Sequence, residues 1–240
     1  MLTSYDDYPI HQSSVPMAYS ATGDANQYDR YFFNGYSPDG SLYFGAAMGL
    51  YPNRHVADAA FCVVLPTGDG STHEQTSVFV SQRAPVDNFF ATDLGEIRVN
   101  ILEPLRKVQV LVDAPEQGVR ADVTFTYRSP VIEEPHFFLR AGNRTASAYT
   151  RLTQFGSWTE TLGSRDRSWG VRPVGETVAL GGPTGLPQFF WLWAPVNFPS
   201  CSTHFDVNEF GDGTRWHEVG AMAPVGDDEP YLARTVEYRL

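Results

Sequence analysis

Residues 95–128 alternate apolar and polar side chains almost without a break, and no other feature of the chain restricts its fold as much. Ile97, Val99 and Ile101 alternate with Arg98 and Asn100; Val108, Val110 and Val112 alternate with Lys107 and Gln109. Val119, Ala121, Val123, Phe125 and Tyr127 alternate with Arg120, Asp122, Thr124, Thr126 and Arg128. A period of two sends successive side chains to opposite faces of an extended backbone. These residues therefore predict three half-buried strands of an antiparallel meander, with Glu116-Gln117-Gly118 as the last hairpin turn. No long stretch of period 3.6 appears elsewhere, so the fold class expected is all-β.

The remaining segments extend that reading. Residues 1 to about 27 read as an irregular lead-in across a barrel mouth or sheet. Tyr28–Tyr36 and Ser41–Gly49 form a hairpin around Ser37-Pro38-Asp39-Gly40, where proline presets φ and glycine accepts a positive φ. Ala57–Leu65, apolar but for Asp58, reads as a strand buried on both faces or a short helix, and its length favours the strand. Gln75–Arg83, Tyr149–Thr159, Gln188–Trp193, Ser202–Asn208, Arg215–Ala223 and Leu232–Leu240 are further strands, about a dozen in all. Pro130–Arg144 loses the alternation and reads as a crossing segment. The final strand ends in mid-pattern, so it must pair within the fold, pair with a second copy as in a homodimer, or continue into a longer chain.

Charge and composition exclude several classes of function. The formal net charge is −11, and Lys107 is the single lysine. Phosphate backbones need a basic face, so no nucleic-acid partner is expected. Nor does any run approach the roughly 18 apolar residues of a membrane span. The first nine residues lack the basic start and apolar segment of a secretory leader. Cys62 and Cys201 are far apart, and the expectation is two free thiols in a reducing cytoplasm.

Candidate chemistry concentrates in Ser164–Glu209, which holds three of the five tryptophans. In Arg165-Asp166-Arg167-Ser168-Trp169-Gly170-Val171-Arg172, guanidinium and indole groups lie side by side and invite stacking. Asp166 paired to arginine would be a structural or orienting group; desolvated beside Trp169 it would be a general acid. Strand alternation puts His204, Asp206 and Asn208 on one face, an arrangement that fits an acid/base pair on a sheet interior or a solvated outer face. Trp191 and Trp193 also share a face and would line an apolar pocket or stabilise a carbocation. The six histidines show no close ligand spacing, and no metal is expected. There is no Gly-x-Ser-x-Gly elbow and no glycine-rich phosphate loop, which speaks against serine hydrolases and nucleotide binding.

Three strings carry a resemblance: Tyr28-Asp29-Arg30-Tyr31-Phe32-Phe33-Asn34-Gly35-Tyr36, Arg151-Leu152-Thr153-Gln154-Phe155-Gly156, and Arg165-Asp166-Arg167-Ser168-Trp169-Gly170-Val171-Arg172-Pro173 followed by Trp191-Leu192-Trp193. Together they resemble a bacterial group similar to the hydroxyneurosporene synthase (carotenoid 1,2-hydratase) and AttH-like superfamily. That resemblance implies two lipocalin-like antiparallel β halves packed together, residues 1–145 and 146–240, the second short of its full strand set. It also implies cofactor-free hydratases, isomerases or cyclases acting on terpenoid- or polyketide-like substrates. On that basis the chain is expected to act at a C=C bond of an apolar small molecule. The resemblance places no catalytic residue; the acid-plus-aromatic cluster read from the residues themselves does, with Asp166, His204 and Asp206 catalytic and Trp169, Trp191, Trp193, Arg167, Arg172 and Asn208 against the substrate. Two alternatives stand beside it: a non-catalytic carrier of an apolar ligand, and an inter-sheet structural brace.

Overall fold

The computed structural model describes residues 23–83, 92–160, 168–179, 190–233 and 235–239. Among them the fold is all-β and antiparallel, with two short 3-10 turns, and no helix is long and apolar enough to cross a membrane. The strands are β1 (Gln27–Tyr36), β2 (Tyr43–Tyr51), β3 (Val56–Pro66), β4 (His73–Arg83), β5 (Ile97–Glu103), β6 (Lys107–Ala114), β7 (Val119–Tyr127), β8 (Ile132–Glu133) and β9 (Phe137–Ala141). They continue with β10 (Arg144–Glu160), β11 (Ser168–Ala179), β12 (Phe190–Asn197), β13 (Cys201–Glu209), β14 (Arg215–Pro224) and β15 (Tyr231–Ala233).

The larger sheet runs β4-β3-β2-β1-β11-β10-β7-β6-β5, and β8 and β9 also pair with β10. The segment Ser168–Ala179 thus contributes β11, a strand inserted between β1 of the first hairpin and β10. Its register sets Trp169 opposite Tyr36 and Ser157, and Arg172 opposite Gln154. The sheet curls until β3 meets β5 and β4 meets the turn Pro115–Gln117. Curling gathers one face of every strand from β1 to β7 around a single apolar core. The meander expected from its alternation is present, with its valines inward: Val108, Val110 and Val123 are fully buried.

Trp158 fills the centre of that core. Its ring lies 5.1 Å from Phe44, 5.2 Å from Phe125 and 5.9 Å from Phe33, and its Nε1 donates to the carbonyl of Asn34 at 2.9 Å. Gly156, two residues earlier on the same face, makes room for the arrangement. A Cβ there would stand 2.3 Å from the backbone oxygen of Thr126 and 2.4 Å from the ring of Phe125. The bare backbone lets the phenyl ring cover it.

The smaller sheet, β12-β13-β14-β15, packs on the outer face of β8 and β10. Ile132 and Phe155 meet Ala221, Ala223 and Trp193 there. β10 is consequently two-faced: Trp158 and Gly156 belong to the barrel, whereas Arg151, Thr153 and Phe155 look toward the second sheet. The rim is pinned by Arg128, whose Nη2 donates to the carbonyls of Phe198 and Pro199 at 2.8 and 3.1 Å. Asn197 adds a bond to the hydroxyl of Tyr36 at 3.1 Å.

Three expectations change. The apolar run in β3 is not buried on both faces: Ala57, Ala59, Phe61 and Val63 are buried, while the residues between them stay half-exposed on the outside of the barrel. Pro130–Arg144 is not a plain crossing segment but contains β8 and β9, both paired to β10. The last strand is short. β15 ends at Ala233, and beyond it side chains replace the ladder. Val236 is buried, its N–H donating to Glu218 and its carbonyl accepting from Arg215. Tyr238 stacks on Phe190 at 5.4 Å.

Candidate acid–base site between the sheets

Polar residues rarely enter an inter-sheet core unless they satisfy one another. On β13 the buried face carries Ser202, His204, Asp206 and Asn208, so the alternation seen in the sequence points inward. The register sets Trp193 opposite Asp206 and Trp191 opposite Asn208 on one side, and His217 opposite Asn208 on the other. Facing them from the larger sheet are Glu134, just after β8, and Arg151 and Thr153 on β10. The backbone N–H of Glu134 donates to the carbonyl of Arg151 at 2.9 Å, which fixes the acid beside the guanidinium.

Arg151 joins the two carboxylates. Its Nε and Nη2 donate to Glu134 Oε2 at 2.8 and 2.5 Å, and Nη2 also donates to Asp206 Oδ2. Thr153 Oγ1 donates to Glu134 Oε1 at 2.5 Å. Asp206 Oδ1 accepts from Trp191 Nε1 at 2.8 Å and from Asn208 Nδ2 at 3.0 Å. His217 Nε2 lies 3.4 Å from Asp206 Oδ2, and His204 Nε2 lies 3.4 Å from Glu134 Oε1. His204 is fully buried, yet neither ring nitrogen has a hydrogen-bond partner. Its ring meets the edge of Trp193 at 5.8 Å, and Trp193 in turn meets Phe32 at 6.1 Å. Trp191 remains 55% exposed, so the cluster reaches the surface along this indole.

The electrostatics favour two ionised carboxylates. Burial alone would raise the pKa of Glu134, but the imidazole of His204 and the charge and hydrogen bonds of Arg151 outweigh it and hold the group at about 2. Asp206 is also held well below the usual carboxylate range: burial opposes ionisation, and His217 and Arg151 overcome it. Because these folded values lie below the unfolded ones, both groups stabilise the fold above the ordinary carboxylate range and lose that contribution as pH falls. Thermal stability should therefore decline between about pH 5 and about pH 2, and the decline should be shallower in Glu134→Gln, as melts at stepped pH would register. An equal slope in both proteins would remove Glu134 from the account.

The sequence-derived candidates distribute unevenly over this site. His204, Asp206, Asn208, Trp191 and Trp193 come together. Trp169 and Arg172 lie on β11, of which the backbone alone is described, and Asp166 and Arg167 lie outside the described residues. Of the acid/base pair read from the sequence, Asp206 is the member whose surroundings favour the anion. Glu134, Arg151, Thr153 and His217 were not anticipated from the sequence. One signal was present for two of them: Arg151 and Thr153 share their strand face with Phe155, a pattern unusual for a solvated face. Among the described residues, Glu134, His204 and Asp206 also offer one ligand atom each, all within 4.8 Å of one another.

The fold and the site define a class: an all-β protein with a buried cluster of carboxylates, histidines and one arginine clamped between two antiparallel sheets. The chain belongs to DUF8625, a family of unknown function, whose profile matches residues 2–236. No curated protein matches it in sequence. Among solved structures it is similar to an AttH candidate from Nitrosomonas europaea, with a TM-score of 0.52 and 13% identity over 90% of this chain and 70% of that one. Kievitone hydratase from Nectria haematococca follows at a TM-score of 0.49 and 9% identity, over 85% of this chain and 63% of that one. CghA follows at 0.48 and 12%, over 85% and 59%. This chain thus spans less than two thirds of the last two proteins. The AttH-like resemblance holds at the level of the fold.

Proposed function

We propose that this chain is an acid–base enzyme, working without an organic cofactor, that adds water to, isomerises or cyclises a hydrophobic substrate at a C=C bond. The observation that carries the reading is His204: a fully buried imidazole without hydrogen-bond partners, beside an ionised carboxylate and an indole. A proton on His204 passes to one alkene carbon, the π electrons form the new C–H bond, and the adjacent carbon becomes cationic. Water attacking that carbon returns a proton to the imidazole and completes hydration; loss of a neighbouring C–H proton to the imidazole completes isomerisation instead. Glu134 and Asp206 stay ionised throughout and favour the imidazolium and the cation electrostatically. Trp191 and Trp193 supply aromatic surface next to the developing charge. Asp166, Arg167, Trp169 and Arg172 enter the proposal on sequence grounds, as a second acid, orienting charges and further aromatic wall.

A second reading rests on Arg151. A guanidinium that bridges a carboxylate of each sheet supports a structural brace between them. The two readings separate experimentally. Extracting whatever molecule copurifies with the protein supplies a candidate substrate. His204→Gln should then lower its turnover by about 100-fold or more in a protein that remains folded. Unchanged turnover would leave the brace alone standing. Recovery of an unaltered ligand from a protein that transforms nothing would favour a carrier.

A further inference from the structure

The spacing of the buried ligand-capable atoms matches a cation better than it matches a hydrogen-bonded pair. Glu134 Oε1 and His204 Nε2 are 3.4 Å apart, beyond the range of a well-formed bond between a nitrogen and an oxygen. Metal bonds of about 2.0–2.2 Å in a tetrahedron put neighbouring ligand atoms about 3.3–3.6 Å apart, so the two atoms already span one edge. A carboxylate oxygen of Asp206 completes a triangle within 4.8 Å. His204 adds to this: its Nδ1 makes no hydrogen bond, its Nε2 has only the long approach to Glu134, and a buried polar atom left without a well-formed bond is costly. Charge points the same way. Two buried carboxylates face one guanidinium in the cluster.

We propose that Glu134, His204 and Asp206 form a binding site for one divalent transition-metal cation, with Zn2+ the best fit. Mixed imidazole and carboxylate ligation suits zinc, whereas magnesium and calcium prefer oxygen alone. Arg151 occupies Oε2 of Glu134 and Thr153 takes one lone pair of Oε1, so the cation uses the other lone pair of Oε1 and the brace can stay in place. Three protein ligands leave a fourth position for water or a ligand atom. The inference goes beyond the acid–base reading: metal and proton compete for His204 Nε2, so zinc would block the proton transfer and act as an inhibitor.

The test uses the full chain, stripped with EDTA and titrated with Zn2+ or Mg2+ by calorimetry, with Co2+ absorption reporting the coordination geometry. One Zn2+ per chain, a tetrahedral cobalt spectrum and no heat from Mg2+ are expected. Affinity for Zn2+ should fall by about 100-fold or more in His204→Ala and in Glu134→Gln, each checked for its fold by circular dichroism. Absence of stoichiometric Zn2+ binding would overturn the inference, as would binding that survives both substitutions. Turnover in EDTA that depends on His204, without Zn2+ uptake, would also overturn it and leave the acid–base reading intact. Zn2+ uptake by a protein that transforms no substrate would support the site and remove that reading.

Discussion

Arg151→Met should lower the unfolding free energy by about 3–5 kcal/mol, measured by urea denaturation at neutral pH. The side chain is only 18% exposed and is bonded to two carboxylates, Glu134 and Asp206, whose own side chains are 0% and 1% exposed. Removing the cation leaves both anions desolvated without their shared counter-charge, which costs far more than the loss of one surface ion pair. Domains of this kind are stable by roughly 5–15 kcal/mol in total, so the variant should be severely compromised. Adding Glu134→Gln to it should recover part of the loss, because it removes one of the stranded charges. A cost below about 1 kcal/mol would mean that the carboxylates do not depend on Arg151.

Trp158→Ala should cost a comparable amount, about 3–5 kcal/mol, for a different reason. The indole is fully buried against Phe33, Phe44 and Phe125, and Gly156 prevents the backbone nearby from supplying bulk to fill the gap. The loss combines transfer free energy with an uncollapsed cavity, and it also strands the carbonyl of Asn34. Trp158→Phe should cost distinctly less, since it keeps most of the apolar volume. Both can be read from the denaturation midpoint at constant slope. Equal stability of Trp158→Ala and the parent would mean that this cluster does not organise the barrel.

These two positions lie on opposite faces of one strand, and they mark where the sequence is informative. Strands β6 and β7 were legible because each has one wet face and one packed face, which alternation reports directly; β5 follows it through Val99, but Ile101 is exposed where the register becomes irregular. β13 was legible in the same way, but not the direction of its polar face: His-x-Asp-x-Asn reads identically whether it meets solvent or a second sheet. Arg151 and Thr153 were hidden for a related reason. A charged residue opposite a core residue normally faces water, and only Phe155 on the same face of β10 announces that another sheet covers it. Glu134 sits in a stretch whose alternation fails, and it is brought beside His204 only through pairing with β10. The end of the chain misled through its Val236-Glu237-Tyr238 pattern, which looks extended but is fastened by the side chains of Arg215 and Glu218.

The central claim, that His204 moves a proton on an unsaturated apolar molecule, is tested most directly by native mass spectrometry of two proteins produced in the natural host. The parent and His204→Gln would be purified side by side and their bound small molecules extracted. The account predicts different ligands: His204→Gln retains the unreacted substrate, and the parent carries a product altered by one water or by the position of a double bond. The same molecule in both proteins, or none in either, would contradict it.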